Sequence, residues 1–216
     1  MTTKSDDLRR YTDLTALFSL LSERKLVLRD PRNWDDANDR YYMNQYKKAK
    51  KLKSVLAVCF VQSPERYHFW QVFAPGRSGV QIQFKRNEFL RAVERETGVR
   101  MGSVRYELLK RIRVADIDDL PFVKRQGFED ENEFRIIYES STETITQSGI
   151  SIPLSCIESV KLNPWLYRDT FPHVRKALRK IHGCGLLTVE HSHLIESETW
   201  KKAADAAVAK FNVDRD

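Results

Sequence analysis

The sequence predicts a single α+β domain, residues 1–216, with a mixed central sheet flanked by helices. Segments with strand character and segments with helical apolar spacing follow one another irregularly, which does not fit the repeated strand-helix order of an α/β fold. The 216 residues, 41% of them hydrophobic, suffice for one core, and no linker-like segment divides them. We therefore expect one domain.

Local signals place the elements of the N-terminal half. Thr12 or Asp13 caps a helix whose leucines recur at intervals of three and four residues. Further along, Asn87 caps a helix that stops at Gly98, because glycine readily adopts the left-handed conformation that ends a helix. The predicted elements are, in order, a helix from residue 14, a strand at 26–28, a helix at 38–53, strands at 55–61 and 79–84, and a helix at 87–98.

The C-terminal half mixes short strands with two helices. Alternating apolar residues, or short apolar runs bounded by polar residues, indicate the strands. Gly183 ends the first helix, and Trp200, Ala203, Ala207 and Phe211 give the second an apolar face. The predicted elements are strands at 102–106, 133–138, 150–154 and 157–162, a helix at 169–182, a strand at 186–189, and a C-terminal amphipathic helix at 198–216.

The positive charge of the chain is concentrated in one segment. Residues 40–53, RYYMNQYKKAKKLK, hold six basic side chains and no acidic one, so only +1 of the net charge of +7 lies elsewhere. A basic cluster next to tyrosines is typical of a nucleic-acid-binding surface, although the solvated face of an amphipathic helix explains it equally well. The candidate nucleic-acid-binding residues are Arg40, Lys47, Lys48, Lys50, Lys51 and Lys53.

Hydrophobic segments and cysteines predict the cellular compartment of the protein. No segment reaches the roughly 18 apolar residues of a membrane span, and MTTKSDDLRR does not resemble a signal peptide, so we expect a cytoplasmic protein without a membrane partner. Cys59, Cys156 and Cys184 are widely spaced in apolar surroundings, which predicts buried structural thiols.

The segment EDENEFRIIY, residues 129–138, places Glu131, Glu133 and Arg135 at alternate positions. Side chains alternate between the faces of a strand, so these three share one face, where the arginine neutralises one carboxylate. Two carboxylates this close favour a site that separates their pKa values. An ordinary ion pair on a partly exposed strand accounts for the same residues.

An acidic cluster stands before the basic segment. Asp35, Asp36 and Asp39 are able to bind Mg²⁺, but aspartates at the start of a helix more often cap it. His191 and His193 have the spacing of metal ligands without further ligands to complete a site. We therefore predict no metal site.

A third candidate site is aromatic. Tyr67-His68-Phe69-Trp70 offers rings that stack on a base or a nicotinamide, and the turn around Arg77 offers donors to a phosphate. Burial of the rings in the core explains the segment as well. The sequence has neither GxGxxG nor GxxxxGKS/T, which excludes a Rossmann fingerprint and a P-loop.

Together these motifs resemble an uncharacterised family of bacterial and prophage proteins, a domain of unknown function, over about residues 10–197. The corresponding segments are Arg10-Tyr11-Thr12, Trp34-Asp35-Asp36, Trp70-Gln71-Val72-Phe73 with Gly79-Val80, and Glu131-Asn132-Glu133-Phe134-Arg135. Phe73 replaces the tyrosine that is usual in the family, and Ala37 stands where proline is frequent.

The layout is also similar to that of the NAD-consuming ADP-ribosyltransferases, some of which modify DNA or RNA. The resemblance implies that Glu133 aligns NAD and that Glu131 activates the acceptor. It also implies that Arg10 and Thr12 belong to the element that grips the nicotinamide ribose. With the stacking residues Tyr67 and Trp70 and the strand residue Arg135, they make up the expected NAD-binding set.

The leading hypothesis is therefore an ADP-ribosyltransferase-like enzyme that uses NAD, with nucleic acid as a candidate acceptor. One alternative is a non-enzymatic nucleic-acid-binding accessory protein centred on residues 40–53. The other is a metal-dependent phosphodiesterase built from Asp35, Asp36, Asp39 and the two glutamates.

Overall fold

The structure is a computed structural model that describes residues 7–110 and 116–213, with side chains up to residue 211. The helices are α1 (Leu14–Glu23), α2 (Ala37–Ala49), α3 (Tyr67–Phe73), α4 (Arg86–Val93), α5 (Phe171–Lys180) and α6 (Glu198–Val213). The strands are β1 (Leu8–Asp13), β2 (Lys25–Arg29), β3 (Ser54–Val61), β4 (Gly79–Phe84), β5 (Val99–Ser103), β6 (Arg105–Glu107), β7 (Val123–Arg125), β8 (Glu133–Ser140), β9 (Gln147–Ser151), β10 (Ile157–Leu162) and β11 (Val189–His191). Residues 214–216 of the predicted C-terminal helix lie outside the described residues.

The predicted α+β class is confirmed. Nine strands form one mixed sheet in the order β11-β10-β4-β1-β3-β2-β9, with β8 attached to β3 and β5 attached to β8. Within this sheet β10 and β11 run parallel, whereas the other described pairs are antiparallel. β6 and β7 form a separate short ribbon. Helices flank the sheet, so strands and helices mingle as the sequence predicts.

The sheet branches at β3. Along one edge, β8 pairs with the whole of β3, from Ser54 opposite Ser140 to Val61 opposite Glu133. The other edge of β3 is shared, because β2 pairs with it at Ala57 and β1 pairs with it at Val61. β1 and β2 therefore diverge from each other beside the middle of β3. The gap between them opens as a cleft.

Alternation along β8 sorts its side chains onto two faces. Phe134 and Ile136 enter the main hydrophobic core, which is filled largely by leucines of α1 and by aromatic residues of β4 and α4. Glu133 and Arg135 point to the opposite face, which α2 and the 3-10 segment Ile117–Phe122 cover. The predicted division of this strand into an apolar face and a charged face is confirmed.

Several elements differ from the sequence-based prediction. The helix expected at 87–98 is the shorter α4, and the strand expected at 102–106 is divided between β5 and β6. Leu8–Asp13, for which local patterns predict no regular element, is the strand β1, which pairs with β4 along its whole length. Its pattern LRRYTD has few apolar residues, so tertiary pairing and not propensity makes it a strand. Tyr67–Phe73, expected as an irregular aromatic segment, is the helix α3, which begins without a side-chain cap. The strand expected at 186–189 lies at Val189–His191.

The C-terminal helix α6 is exposed along its length. Trp200 is 81% exposed and Phe211 is 54% exposed, so the apolar face that the sequence predicts remains largely at the surface. Within residues 7–110 and 116–213, no helix has the length and apolar character that a membrane crossing requires.

Candidate active site

A cleft of about 520 Å³ lies in the gap between β1, β2 and β3. Its charged lining residues include Arg10, Arg29, Asp39, Lys124, Glu131, Glu133 and Arg135, and its aromatic ones include Trp34, Phe73 and Phe128. A concave site of several hundred Å³ that combines rings with converging charges is typical of a small-molecule site.

Arg135 is the centre of the charged network. Its side chain is fully buried and makes two hydrogen bonds to Glu133, at 2.8 and 3.1 Å, and two to Asp39, at 3.0 and 2.8 Å. It also donates to the Pro121 carbonyl at 2.7 Å, and its guanidinium lies 4.7 Å from the centroid of the Trp34 ring. Glu133 and Asp39 are nearly buried, at 4% and 5% exposure.

All five N–H groups of Arg135 are therefore used inside the protein. Because no donor is left for a phosphate or a ribose, we assign Arg135 a positioning role in place of the expected cofactor-binding role. It holds Glu133 in one orientation at the cleft. Asp39, from the first turn of α2, braces the arginine from the other side.

Glu133 is held as an anion. Burial raises the pKa of a carboxyl group, but the adjacent Arg135 and Lys124 outweigh burial and lower the pKa of Glu133 to about 2. Lys124 lies 3.5 Å from one Glu133 oxygen. At neutral pH the cleft thus presents a fixed negative charge that is shielded from water, which suits the stabilisation of a positive charge developing in a substrate.

Glu131 lies nearby in a different setting. It ends the 3-10 segment Gln126–Glu131, and Asn132, with a left-handed φ of 42°, separates it from β8. The prediction that Glu131 shares the strand face is wrong, but the residue still lines the same cleft. Burial raises the pKa of Glu131 against the opposing effect of Lys124, whose Nζ is 2.6 Å away. The two glutamates thus have pKa values shifted in opposite directions, the pattern of groups with different acid–base roles.

Cations line another wall of the cleft. Arg10 of β1 and Arg29 of β2 both border it. Burial, together with the charge of Arg29, lowers the pKa of Arg10 to about 10, so Arg10 is still a cation at neutral pH. Two neighbouring guanidinium groups at a cleft attract an anionic ligand, and phosphate matches their donor geometry.

Cys59, expected as a buried structural thiol, borders the cleft, whereas Cys156 and Cys184 are buried as predicted. Cys59 lies opposite Arg135 in the β3–β8 pair. Burial, reinforced by the charge of Glu133, raises the pKa of Cys59, so the thiol is neutral and is not a nucleophile.

Three of the expected NAD-binding residues do not border the cleft. Trp70 is 0% exposed, so neither face of its ring is open to a ligand. Tyr67 is 56% exposed and packs edge-on against Trp165. Thr12 is a half-buried residue of β1. Of the expected set, Arg10 is the residue whose side chain offers donors to a ligand in the cleft.

The candidate nucleic-acid-binding residues lie along α2 and just beyond it. Arg40 donates to the Trp34 carbonyl, and Lys50 pairs with Asp118 at 2.7 Å. The others, which are half-buried or exposed, are Lys47, Lys48, Lys51 and Lys53. Together with Lys50 they form a lysine surface, which begins about 12 Å along the helix axis from Asp39.

The described residues provide no set of metal ligands for the alternative hypothesis of a metal-dependent phosphodiesterase. Both oxygens of Asp39 are taken by Arg135, and Asp36 caps α2 by accepting from the Asn38 N–H at 2.9 Å. Among the residues that the structure describes, no group of three or more His, Cys, Asp or Glu side chains converges for a metal ion. Helix capping, the favoured interpretation of the acidic cluster, is confirmed for Asp36.

Sequence reasoning missed Lys124, Arg29 and the role of Asp39. The sequence around Lys124 has no periodicity that predicts a regular element. Arg29 is the last residue of the short strand β2, where a charged residue attracts no notice. One signal was present, because an arginine inside a buried strand needs more than one acceptor group. That signal predicts a second carboxylate beside Glu133 but does not say which one.

Three solved structures of the DarT protein of Thermus sp. 2.9 resemble the chain. They are complexes with ADP-ribosylated ssDNA, with NAD+ and with carba-NAD+, and each is 10% identical to the chain. The TM-scores are 0.47, 0.48 and 0.46, and the alignments cover 88%, 89% and 89% of this chain and 95%, 98% and 97% of the other. No protein-family model and no curated protein matches the chain. Likeness of this degree concerns the course of the chain and identifies no residue of the cleft.

Proposed function

We propose that the protein transfers ADP-ribose from NAD to an acceptor, with the cleft as its active site. The observation that carries this proposal is the buried, ionised Glu133 in the same cleft as the cations Arg10 and Arg29. NAD has a negatively charged diphosphate, and its ribose becomes positive as nicotinamide leaves. A cleft with guanidinium groups in one wall and a fixed carboxylate in another complements both charges.

Each glutamate has a separate role in the proposed reaction. The bond between ribose C1 and the nicotinamide nitrogen breaks, and its electron pair leaves with neutral nicotinamide. Glu133 stabilises the positive charge that develops on the ribose. The acceptor atom bonds to C1, and its proton passes to Glu131, which the raised pKa makes the stronger base. Arg135, Lys124 and Asp39 fix the two carboxylates and take no part in bond changes.

The cost of the network favours a catalytic role over a structural one. Arg135, Glu133 and Asp39 are charged groups removed from water, and apolar residues of similar volume stabilise a fold at least as well. A buried network of this kind beside a cleft, with carboxyl pKa values shifted apart, is expected where charge serves chemistry.

The acceptor that we propose is nucleic acid. The lysine surface at the end of α2 supplies phosphate contacts, and Asp39 links the same helix to the cleft. Contacts of this kind are independent of sequence and weaken steeply with salt.

Release of nicotinamide from NAD by the purified protein tests the activity. Glu133→Gln keeps the shape of the side chain and removes its charge, so the rate should fall about a hundredfold or more. Glu139→Gln is the matched control, because Glu139 lies on the same strand and bonds Tyr46 and Arg100 outside the cleft. Undiminished release by Glu133→Gln, an equal loss in both variants, or no release by the wild type contradicts the proposal.

A further inference from the structure

We propose that an aromatic strip beside the cleft, formed by Tyr67, Trp165, Tyr167 and Arg77, is a stacking platform for unpaired bases of the acceptor strand. This inference rests on the proposed function and adds to it a surface that neither the cleft nor the lysine surface contains. It gives Tyr67 a partner different from the nicotinamide that the sequence suggests.

The strip presents rings that the core does not use fully. Tyr67 and Tyr167 are each 56% exposed. The ring of Tyr67 meets Trp165 edge-on, with centroids 5.3 Å apart and planes at 81°. The guanidinium of Arg77 lies 4.1 Å from the centroid of Tyr167. Aromatic rings interleaved with an arginine plane are the elements with which proteins hold single-stranded nucleic acid.

The turn that carries Trp165 and Tyr167 is held rigidly. The Trp165 N–H donates to the side-chain oxygen of Asn163 at 2.9 Å, and fully buried Asn163 donates to the Ala74 carbonyl at 3.2 Å. Gly79 makes this packing possible, because a Cβ there would lie 2.2 Å from the Ala74 oxygen and 2.8 Å from the Asn163 amide nitrogen. A platform fixed before binding loses little conformational entropy when a base stacks on it.

The strip adjoins the cleft through α3. Val72, which borders the cleft, is 62% exposed, and Tyr67 begins the same helix. The axial distance between the two residues is about 8 Å. Stacked nucleotides lie about 3.4 Å apart along a strand. Five residues also turn the helix by about 140°, so a strand that stacks at Tyr67 passes around the side of α3 before it reaches the cleft.

Two kinds of contact are thereby assigned to two surfaces. The lysine surface attracts phosphates, which gives binding that depends on salt and accepts single or double strands. The aromatic strip binds the faces of bases, which a duplex hides, so it selects unpaired strands. Loss of a ring should lower affinity without altering the salt dependence.

Binding of a fluorescent 12-nucleotide oligothymidylate, followed by anisotropy without NAD at several salt concentrations, tests the strip. The double variant Tyr67→Ala/Tyr167→Ala should bind at least about tenfold more weakly, with an unchanged slope of log affinity against log salt. Tyr67→Phe/Tyr167→Phe keeps the rings and should bind within about twofold of the wild type. Phe18→Ala is the matched control, because Phe18 is an exposed ring on α1, outside the strip, the cleft and the lysine surface, and it should also bind within about twofold.

Several results overturn the strip. They are a double alanine variant that binds as the wild type does, a phenylalanine variant that binds as weakly as the alanine variant, and an equal loss in Phe18→Ala. A duplex bound as tightly as the single strand and a wild type that does not bind also overturn it. Because the assay contains no NAD, it fails separately from the proposed activity. If the wild type releases nicotinamide but the double alanine variant binds DNA normally, only the proposal of the aromatic strip is contradicted. If the variants bind DNA as expected but the wild type releases no nicotinamide, only the proposed activity is contradicted.

Discussion

Arg135→Met removes the cation that ties Glu133 and Asp39 together while keeping a side chain of similar length. The two carboxylates remain 4% and 5% exposed, and Lys124, 3.5 Å from Glu133, is then the nearest cation. Removing one partner of a buried ion pair costs about 3–5 kcal/mol, because the remaining charge stays away from water. A domain has about 5–15 kcal/mol of stability, so the variant should fold with a much reduced free energy of unfolding.

Urea unfolding measures this loss. With a slope of about 3 kcal/mol per molar urea, the midpoint at neutral pH should fall by about 1–1.7 M. The loss should shrink at lower pH, because Glu133 and Asp39 then become protonated. Arg135→Lys keeps the charge but has three donors in place of five, so its loss should be intermediate.

Two results contradict the electrostatic role of Arg135. One is a midpoint shift that corresponds to less than about 1 kcal/mol, the size expected of an exposed ion pair. The other is a large loss that does not change with pH, which assigns the energy to packing around the side chain and not to its charge.

Three further predictions concern the lysine surface, the cation wall and acid stability. Four lysines, Lys47, Lys48, Lys50 and Lys51, are converted to glutamine. The slope of log affinity for DNA against log salt should then become shallower by about 3–4. An unchanged slope excludes the lysine surface as a DNA-binding surface. Arg10→Gln should raise KM for NAD about tenfold with a smaller effect on kcat, and equal losses in kcat and kcat/KM would show that Arg10 acts in the transition state instead. The pKa of Glu133 falls from 4.5 to about 2 on folding, so its stabilising effect is present above pH 4.5 and is lost as the pH falls towards 2. The difference in unfolding free energy between wild type and Glu133→Gln should therefore shrink across that range, and a constant difference contradicts the shift.

Local patterns were sufficient for the elements that bury a regular face. The apolar run of β3 and the alternation in β4 and β8 were predicted close to their observed limits. β1 was missed because LRRYTD gains its strand conformation from β4. α3 was missed because a helix of seven residues shows less than two turns of periodicity and has no capping side chain.

The site was predicted in part for a similar reason. The glutamates and Arg135 are neighbours in sequence, and strand alternation places Glu133 and Arg135 on one face. Asp39 and Lys124 reach them from distant segments, through a sheet branch at β3 that no local pattern encodes. Trp70 was assigned to ligand binding because an aromatic segment such as Tyr67–Phe73 has the same sequence pattern in a hydrophobic core as in a binding site.

Carbon-13 NMR titration of the side-chain carboxyl groups reports the charge of Glu133 itself, with its signal assigned by its absence in Glu133→Gln. We predict that Glu133 stays ionised at every pH above about 4 and that Glu131 titrates above its usual value. A Glu133 midpoint at or above 4.5, the ordinary value for glutamate, would contradict it, because the cleft would then lack the fixed negative charge on which the proposed chemistry depends.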